Sequence, residues 1–246
     1  SAQTKDRLDR RDLLLGWEAV GRLDTSTGHC TAALIARDVA LTAAHCVIDQ
    51  DPNRMLFRAG YRDGVSIAER RVTEVVMAEG YAEARAAGDN VQEIARDVAV
   101  LRLSSAIFEP GAEPYAIVPT PRRAPPLTLA SYGRGRIEAL TLERGCALEK
   151  RYQGGIVGLN CDVTFGSSGA PVFLQTGGRP QIFSLISAMV PGETSPGGTL
   201  GVELAHIVPG LVTELHNRRA LTPVATEAKR IGVGVRSTGG ARFVRP

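Results

Sequence analysis

The sequence predicts an all-β protein, and three observations carry that reading. The apolar runs are short and broken by turn residues, glycine is plentiful at 27 of 246 positions, and the cysteines fall into two local pairs. Short strands joined by turns produce this pattern, whereas helices would need longer runs at a period near 3.6.

Taken in order, the polar opening SAQTKDRLDRRD reads as a surface arm over residues 1–16, without a signal segment, as expected of a trimmed mature chain. A first half, residues 17–110, starts at LLLGWEAV with Trp17 as a core residue. TAALIA, VALTAA, MLFRAG, SIAERRVTEVVM and AVLRL follow as strands, with YRDG at Tyr61–Gly64 as a hairpin turn. Residues 104–126 are rich in proline and lack a helical period, which places a connection at 111–126. A second half, 127–219, resumes with LTLASYG, TLERGCALEK, IVGLNCDV, APVFLQ and QIFSLISAMV. ETSPGGTLG reads as a loop, and AHIVPGLVTELHNRR carries the one convincing helical pattern, with Pro209 in or before its first turn. A basic tail, 220–246, closes the chain, and its RIGVGVRS segment is expected to pack as an added strand.

CTAALIARDVALTAAHC folds back on itself about Arg37–Asp38, which sets Cys30 opposite Cys46. CALEKRYQGGIVGLNC folds back about Gln153–Gly154 and sets Cys146 opposite Cys161. Opposed residues of an antiparallel pair lie within disulfide reach. Two such bridges point to an oxidising compartment, secreted or periplasmic. The net charge of +3 and the lack of a basic helix face argue against nucleic acid, and no apolar run is long enough for a membrane span.

Three short motifs carry chemistry. LTAAHC ends a strand on His45, ARDVAVLRL starts one at Asp97, and FGSSGAP sets Ser168 in a glycine turn. Serine is a weak nucleophile until a base lies within hydrogen-bond reach. Histidine as a residue type suits that role because it titrates near neutrality, and a carboxylate can hold its tautomer. Each motif alone is unspecific. Their order, TAAHC then RDVAVLRL then GSSGAP, is highly specific.

On these motifs the chain resembles the chymotrypsin-fold serine peptidases, nearest in style to bacterial trypsin-like and glutamyl-endopeptidase-like members, from about Trp17 to Arg219. The resemblance implies two six-stranded antiparallel β-barrels with a C-terminal helix and an active site in the cleft between the barrels. It implies that Ser168 attacks the scissile carbonyl, His45 moves its proton, Asp97 orients His45, and the N–H groups of Gly166 and Ser168 hold the oxyanion. No cofactor or metal is expected. The partner is a protein or peptide substrate, and the chain is expected to be a monomer.

Ser167 departs from the animal trypsin pattern, which has an aspartate there to pair with a newly cut N-terminus. DRRDLLLG also lacks the usual new-terminus motif. Activation by such a switch is therefore not expected. In this fold the pocket for the residue before the cut lies between the strand leading into the nucleophile turn and a later strand. Asp162, six positions before Ser168, falls where trypsin-like enzymes keep a floor acid, with Val163, Ser187, Met189 and Gly201 as further pocket residues. The expectation is cleavage after Arg or Lys; the competing reading makes Asp162 a structural hydrogen-bond acceptor, since the neighbouring Cys161 bridge could turn it away and Met189 could narrow the entrance. Val163 and Ile186 replace the threonine and histidine usual in glutamyl endopeptidases, so cleavage after Glu is not expected.

Three other readings compete. A catalytically silent binding protein on the same fold would keep the motifs but have an occluded cleft. An α/β-hydrolase esterase would place its acid and histidine after the serine, the reverse of the order here. The dipeptides His29-Cys30 and His45-Cys46 suggest zinc, but neighbouring strand residues face opposite ways and do not converge on one ion. His206 and His216 read as surface or packing residues.

Overall fold

The computed structural model describes residues 3–175, 178–189 and 198–221. In chain order the elements are β1 (Thr4–Arg7), α1 (Arg11–Leu14), β2 (Val20–Thr25), β3 (Gly28–Ala36), β4 (Val39–Thr42), β5 (Leu56–Ala59) and β6 (Ala68–Met77). Then come α2 (Tyr81–Ala87), α3 (Asn90–Ala95), β7 (Ala99–Leu103), β8 (Leu127–Ser131), β9 (Thr141–Cys146), β10 (Leu148–Arg151) and β11 (Ile156–Leu159). The chain ends its described part with β12 (Pro171–Leu174), β13 (Gln181–Met189), β14 (Thr199–Glu203) and α4 (Val208–Leu221).

The first half closes into a six-stranded barrel in the order β2-β3-β4-β7-β6-β5. All its pairings are antiparallel. Its strands are short because turn chemistry interrupts them. At the expected Tyr61–Gly64 hairpin, Arg62 and Val65 exchange both backbone hydrogen bonds (2.8 and 2.9 Å). Asp63 and Gly64 adopt positive φ, 45° and 84°, between them, as a two-residue hairpin turn requires.

The second half is an eight-stranded antiparallel sheet, β1-β9-β8-β12-β13-β14-β11-β10, curled as a half-barrel. Together the two halves form the chymotrypsin-like two-barrel fold with a C-terminal helix. One strand of this sheet comes from the segment read as a surface arm. β1 is exposed throughout, so no apolar alternation marks it, and it pairs with β9 from Thr4↔Arg144 to Arg7↔Thr141. The TLERGCALEK segment forms two strands, β9 pairing with β8 and β10 with β11, with Gly145 near their junction at a positive φ of 82°.

The core runs from the first barrel into the second. Trp17 meets Phe173 of β12 edge-on, with ring centroids 5.2 Å apart, and Tyr115 meets the same ring at 4.7 Å. The Tyr115 hydroxyl donates to the Gly16 carbonyl (3.0 Å), so the proline-rich connection is tied to the start of the first barrel. A second apolar cluster, including Leu129, Val157, Cys161, Val163, Val172 and Ile186, fills the second sheet. α4 begins with Pro209 in its first turn and buries Val208, Leu211 and Leu215.

Two helices escape the strand-dominated reading. α2 and α3 lie between β6 and β7, within YAEARAAGDNVQEIA. Their signals are local: an alanine-rich run, and Asp89 capping α3 by accepting the Gln92 N–H at 3.1 Å. β14 also replaces the end of the expected ETSPGGTLG loop. Residues 193–197 of that loop, the preceding 190–192 and the tail beyond 221 lie outside the described residues.

Candidate active site

His45 sits in a single 3-10 turn, Ala44–Cys46, directly after β4. Asp97 precedes β7, which pairs with β4 from Thr42↔Ala99 to Val39↔Arg102. The pairing of these strands therefore brings the histidine and the acid together. His45 donates its backbone N–H to Asp97 Oδ1 (2.8 Å), and its Nδ1 lies 2.7 Å from Oδ2. The Ser187 hydroxyl donates to the same Oδ2 at 2.6 Å. Asp97 is 3% exposed, so a charge that would be costly to bury alone receives three donors. An ionised carboxylate only accepts, which assigns the proton of a neutral His45 ring to Nδ1 and leaves Nε2 as its basic edge.

Cys30 and Cys46 form one disulfide (Cα–Cα 6.3 Å) and Cys146 and Cys161 the other (5.1 Å). Cys30, His45 and Cys46 bring their ligand-type atoms within 4.8 Å of one another, but the disulfide engages both sulfurs, so no thiolate is available to hold zinc.

The serine turn is built by glycine. Gly166 and Gly169 take φ of +90° and +73°. A Cβ on Gly169 would stand 2.3 Å from Thr42 Oγ1, and one on Gly166 would stand 2.5 Å from the Tyr132 carbonyl oxygen. Neither position admits a side chain. The two serines between them have different surroundings. Ser167 is 1% exposed, and its Oγ accepts the Thr164 N–H at 3.3 Å. Ser168 lines an open cleft of about 750 Å³ together with His45.

Thr31 of β3, which the sequence did not single out, organises this turn from the other barrel. Its N–H donates to the Ser168 carbonyl (2.9 Å) and its hydroxyl to the Gly166 carbonyl (2.9 Å). The same hydroxyl accepts the Tyr132 N–H at 3.0 Å. The Phe165 carbonyl accepts the Arg134 N–H at 2.6 Å, and Ser167 N–H donates to Thr164. Among the described residues, the N–H groups of Gly166 and Ser168 are left without an intramolecular acceptor.

The expected pocket residues divide. Val163, Ser187 and Met189 line the cleft. Asp162 and Gly201 do not. Asp162 lies beyond the end of β11, between Cys161, buried in its disulfide, and buried Val163, which lines the cleft, and it does not line the cleft itself. There Asp162 forms an ion pair with Lys5 of β1, and its N–H donates to Glu143 Oε1 at 2.8 Å. The expectation of a floor acid at Asp162 is thereby corrected. Gly201 packs instead under β13, where a Cβ would stand 2.5 Å from Ser184 Oγ and 2.7 Å from the Leu185 carbonyl oxygen.

Glu143 is 2% exposed and its Oε2 has no partner. Burial raises its pKa above the ordinary 4.5, against the pull of Lys5 and Arg136. A raised acid favours the protonated folded state, so its contribution to stability is full below 4.5 and declines as pH rises through the higher folded value. Glu143→Gln should remove that decline. Melting temperatures of both proteins between about pH 4 and pH 7 test this; parallel profiles would refute it.

The geometry meets an independent finding in the sequence. Residues 30–179, which contain His45, Asp97 and Ser168, match the family model for the trypsin-like peptidase domain. The chain belongs to the trypsin-like peptidase family. Its members act on proteins or peptides, so a peptidase is the coarse function. This trypsin-like chain also matches solved structures. A Glu endopeptidase in complex with MPD superposes with a TM-score of 0.67 at 18% identity, over 87% of this chain and 96% of that one. The protease Anisep from Arthrobacter nicotinovorans gives 0.59 at 16% identity, over 76% and 90%. At such identities these likenesses support the fold alone. No curated protein sequence matches the chain. Among the described residues, no helix is long and apolar enough to cross a membrane.

Proposed function

We propose that the protein is a serine endopeptidase with Ser168 as nucleophile, His45 as base and Asp97 as the group that orients the base. The observation that carries this reading is the pairing of His45 with buried Asp97 through Nδ1, which leaves Nε2 for the cleft that Ser168 lines. Ser168 Oγ would bond to the scissile carbonyl carbon as its proton passes to His45 Nε2. The carbonyl oxygen would take up negative charge against the uncommitted N–H groups of Gly166 and Ser168. Collapse would break the C–N bond, with His45 giving the proton to the leaving amine. Water would then repeat the sequence on the acyl-enzyme.

Asp97 would stay ionised throughout, stabilising the imidazolium through the 2.7 Å contact to Nδ1. Two disulfides favour a secreted or periplasmic setting. A fluorophosphonate probe tests the reading directly. One adduct should appear by intact mass, map to Ser168, and vanish in His45→Ala. Labelling elsewhere, or none, would overturn it.

A further inference from the structure

We propose that the subsite taking the side chain before the scissile bond is apolar and selects an aliphatic residue of valine, leucine or methionine size. The proposal rests on the serine-peptidase reading above and names its substrate class.

If the N–H groups of the serine turn hold the substrate carbonyl, the side chain on the acyl side meets two segments. One is Val163–Gly166, leading into Ser168, and the other is the end of β13 at Ile186–Met189. Residues of both line the same cleft as Ser168. Val163 is 7% exposed and Ile186 is 2% exposed, and both belong to the apolar cluster of the second sheet. The wall is therefore continuous with the core.

Large apolar side chains also stand exposed at the rim, beside Arg134. Phe165 (65% exposed), Met189 (44%) and Ile137 (37%) all border this cleft. Large apolar side chains gathered in the open at one concavity mark a surface that binds apolar groups.

Among the described residues that line the cleft there is no aspartate or glutamate. An Arg or Lys side chain entering between Val163 and Ile186 would lose its water without gaining a counter-charge from the described lining. A Glu side chain fares no better. The Ser187 hydroxyl is committed to Asp97, and His29 Nε2 lies 2.9 Å from the Tyr132 carbonyl. Arg134 also lines the cleft, but it stacks on the exposed Phe165, 4.7 Å from the ring centroid, and is not part of the Val163–Gly166 and Ile186–Met189 walls. An aliphatic group loses little by leaving water and gains contact with both walls. Met189 is unbranched and can adjust to its length.

The test uses peptide p-nitroanilides that differ only in the final residue: Ala, Val, Leu, Met, Phe, Arg or Glu. The best aliphatic substrate should exceed both Arg and Glu in kcat/KM by about 100-fold or more, and Ala by about 10-fold. Peptidyl phosphonates carrying the same side chains should inactivate in the same order, read by intact mass. Met189→Glu, a change at the exposed rim, should raise the Arg-to-Leu ratio by about 10-fold. Asp162→Ala should leave the ranking unchanged. Arg or Glu within 10-fold of the best aliphatic residue, or a Met189→Glu ratio that does not move, overturns the apolar subsite while a labelled Ser168 keeps the peptidase reading. Cleavage retained by Ser168→Ala overturns the serine-peptidase reading, with Ser168 as nucleophile.

Discussion

Ser168→Ala is expected to lower kcat by about 10⁶, while Ser167→Ala retains most activity. The adjacent serines differ only in what the turn does with them. Gly166 and Gly169, both at positive φ, reverse the chain tightly enough that one hydroxyl goes inward and the next outward. The inward one, on Ser167, accepts the Thr164 N–H and serves the turn itself. Its removal costs one neutral hydrogen bond, about 1 kcal/mol of stability, and no reacting group. The outward hydroxyl, on Ser168, lines the cleft with His45. Its removal takes away the only atom that can form the acyl bond in the proposed mechanism. Kinetics on both variants, with circular dichroism to show that each is folded, decide the matter. An active Ser168→Ala beside an inactive Ser167→Ala would reverse the assignment.

Asp97→Asn is expected to lower kcat by about 10⁴, by analogy with the triad mechanism established in relatives of this fold. The local geometry says why a nearly isosteric change should matter so much. Three donors converge on the two oxygens of Asp97: the His45 N–H, His45 Nδ1–H and the Ser187 hydroxyl. Asparagine replaces one acceptor with an NH₂ group. If that group faces Nδ1, the ring must carry its proton on Nε2, and the base toward Ser168 is lost. If it faces the His45 backbone, two donors oppose each other and the histidine turn must shift. Either outcome should also slow fluorophosphonate labelling. Labelling at the wild-type rate by Asp97→Asn would show that Asp97 does not orient the base.

Both expectations rest on motifs that the chain displays without a structure. His45, Asp97 and Ser168 are legible because each stands in a short segment whose residue types and order are specific. The cysteine pairs are legible for a related reason. A hairpin maps residues symmetrically about its turn, and β10 and β11 pair Leu148 with Leu159, which sets Cys146 beside Cys161. Strands such as Ala99–Leu103 follow from local composition, since a buried strand needs a run of apolar residues.

What depended on distant partners could not be read this way. β1 is a strand because β9 offers it an edge, and its own sequence, TKDR, carries no strand pattern. Thr31 looks like any β-branched strand residue until the barrels meet and its hydroxyl reaches Gly166. Asp162 has the spacing of a pocket acid, but spacing along a strand does not say which face is inward. Residues 160–164 follow β11 without strand pairing, and between the buried Cys146–Cys161 bridge and cleft-lining Val163 the Asp162 carboxylate goes to Lys5. The sequence by itself therefore determined the bridges, most of the strands and the motifs on which the proposed catalytic roles rest, because those depend on neighbours along the chain. The tertiary structure alone decided the direction of Asp162 and which residues line the cleft, because a side chain's face is set by packing against residues far away in sequence.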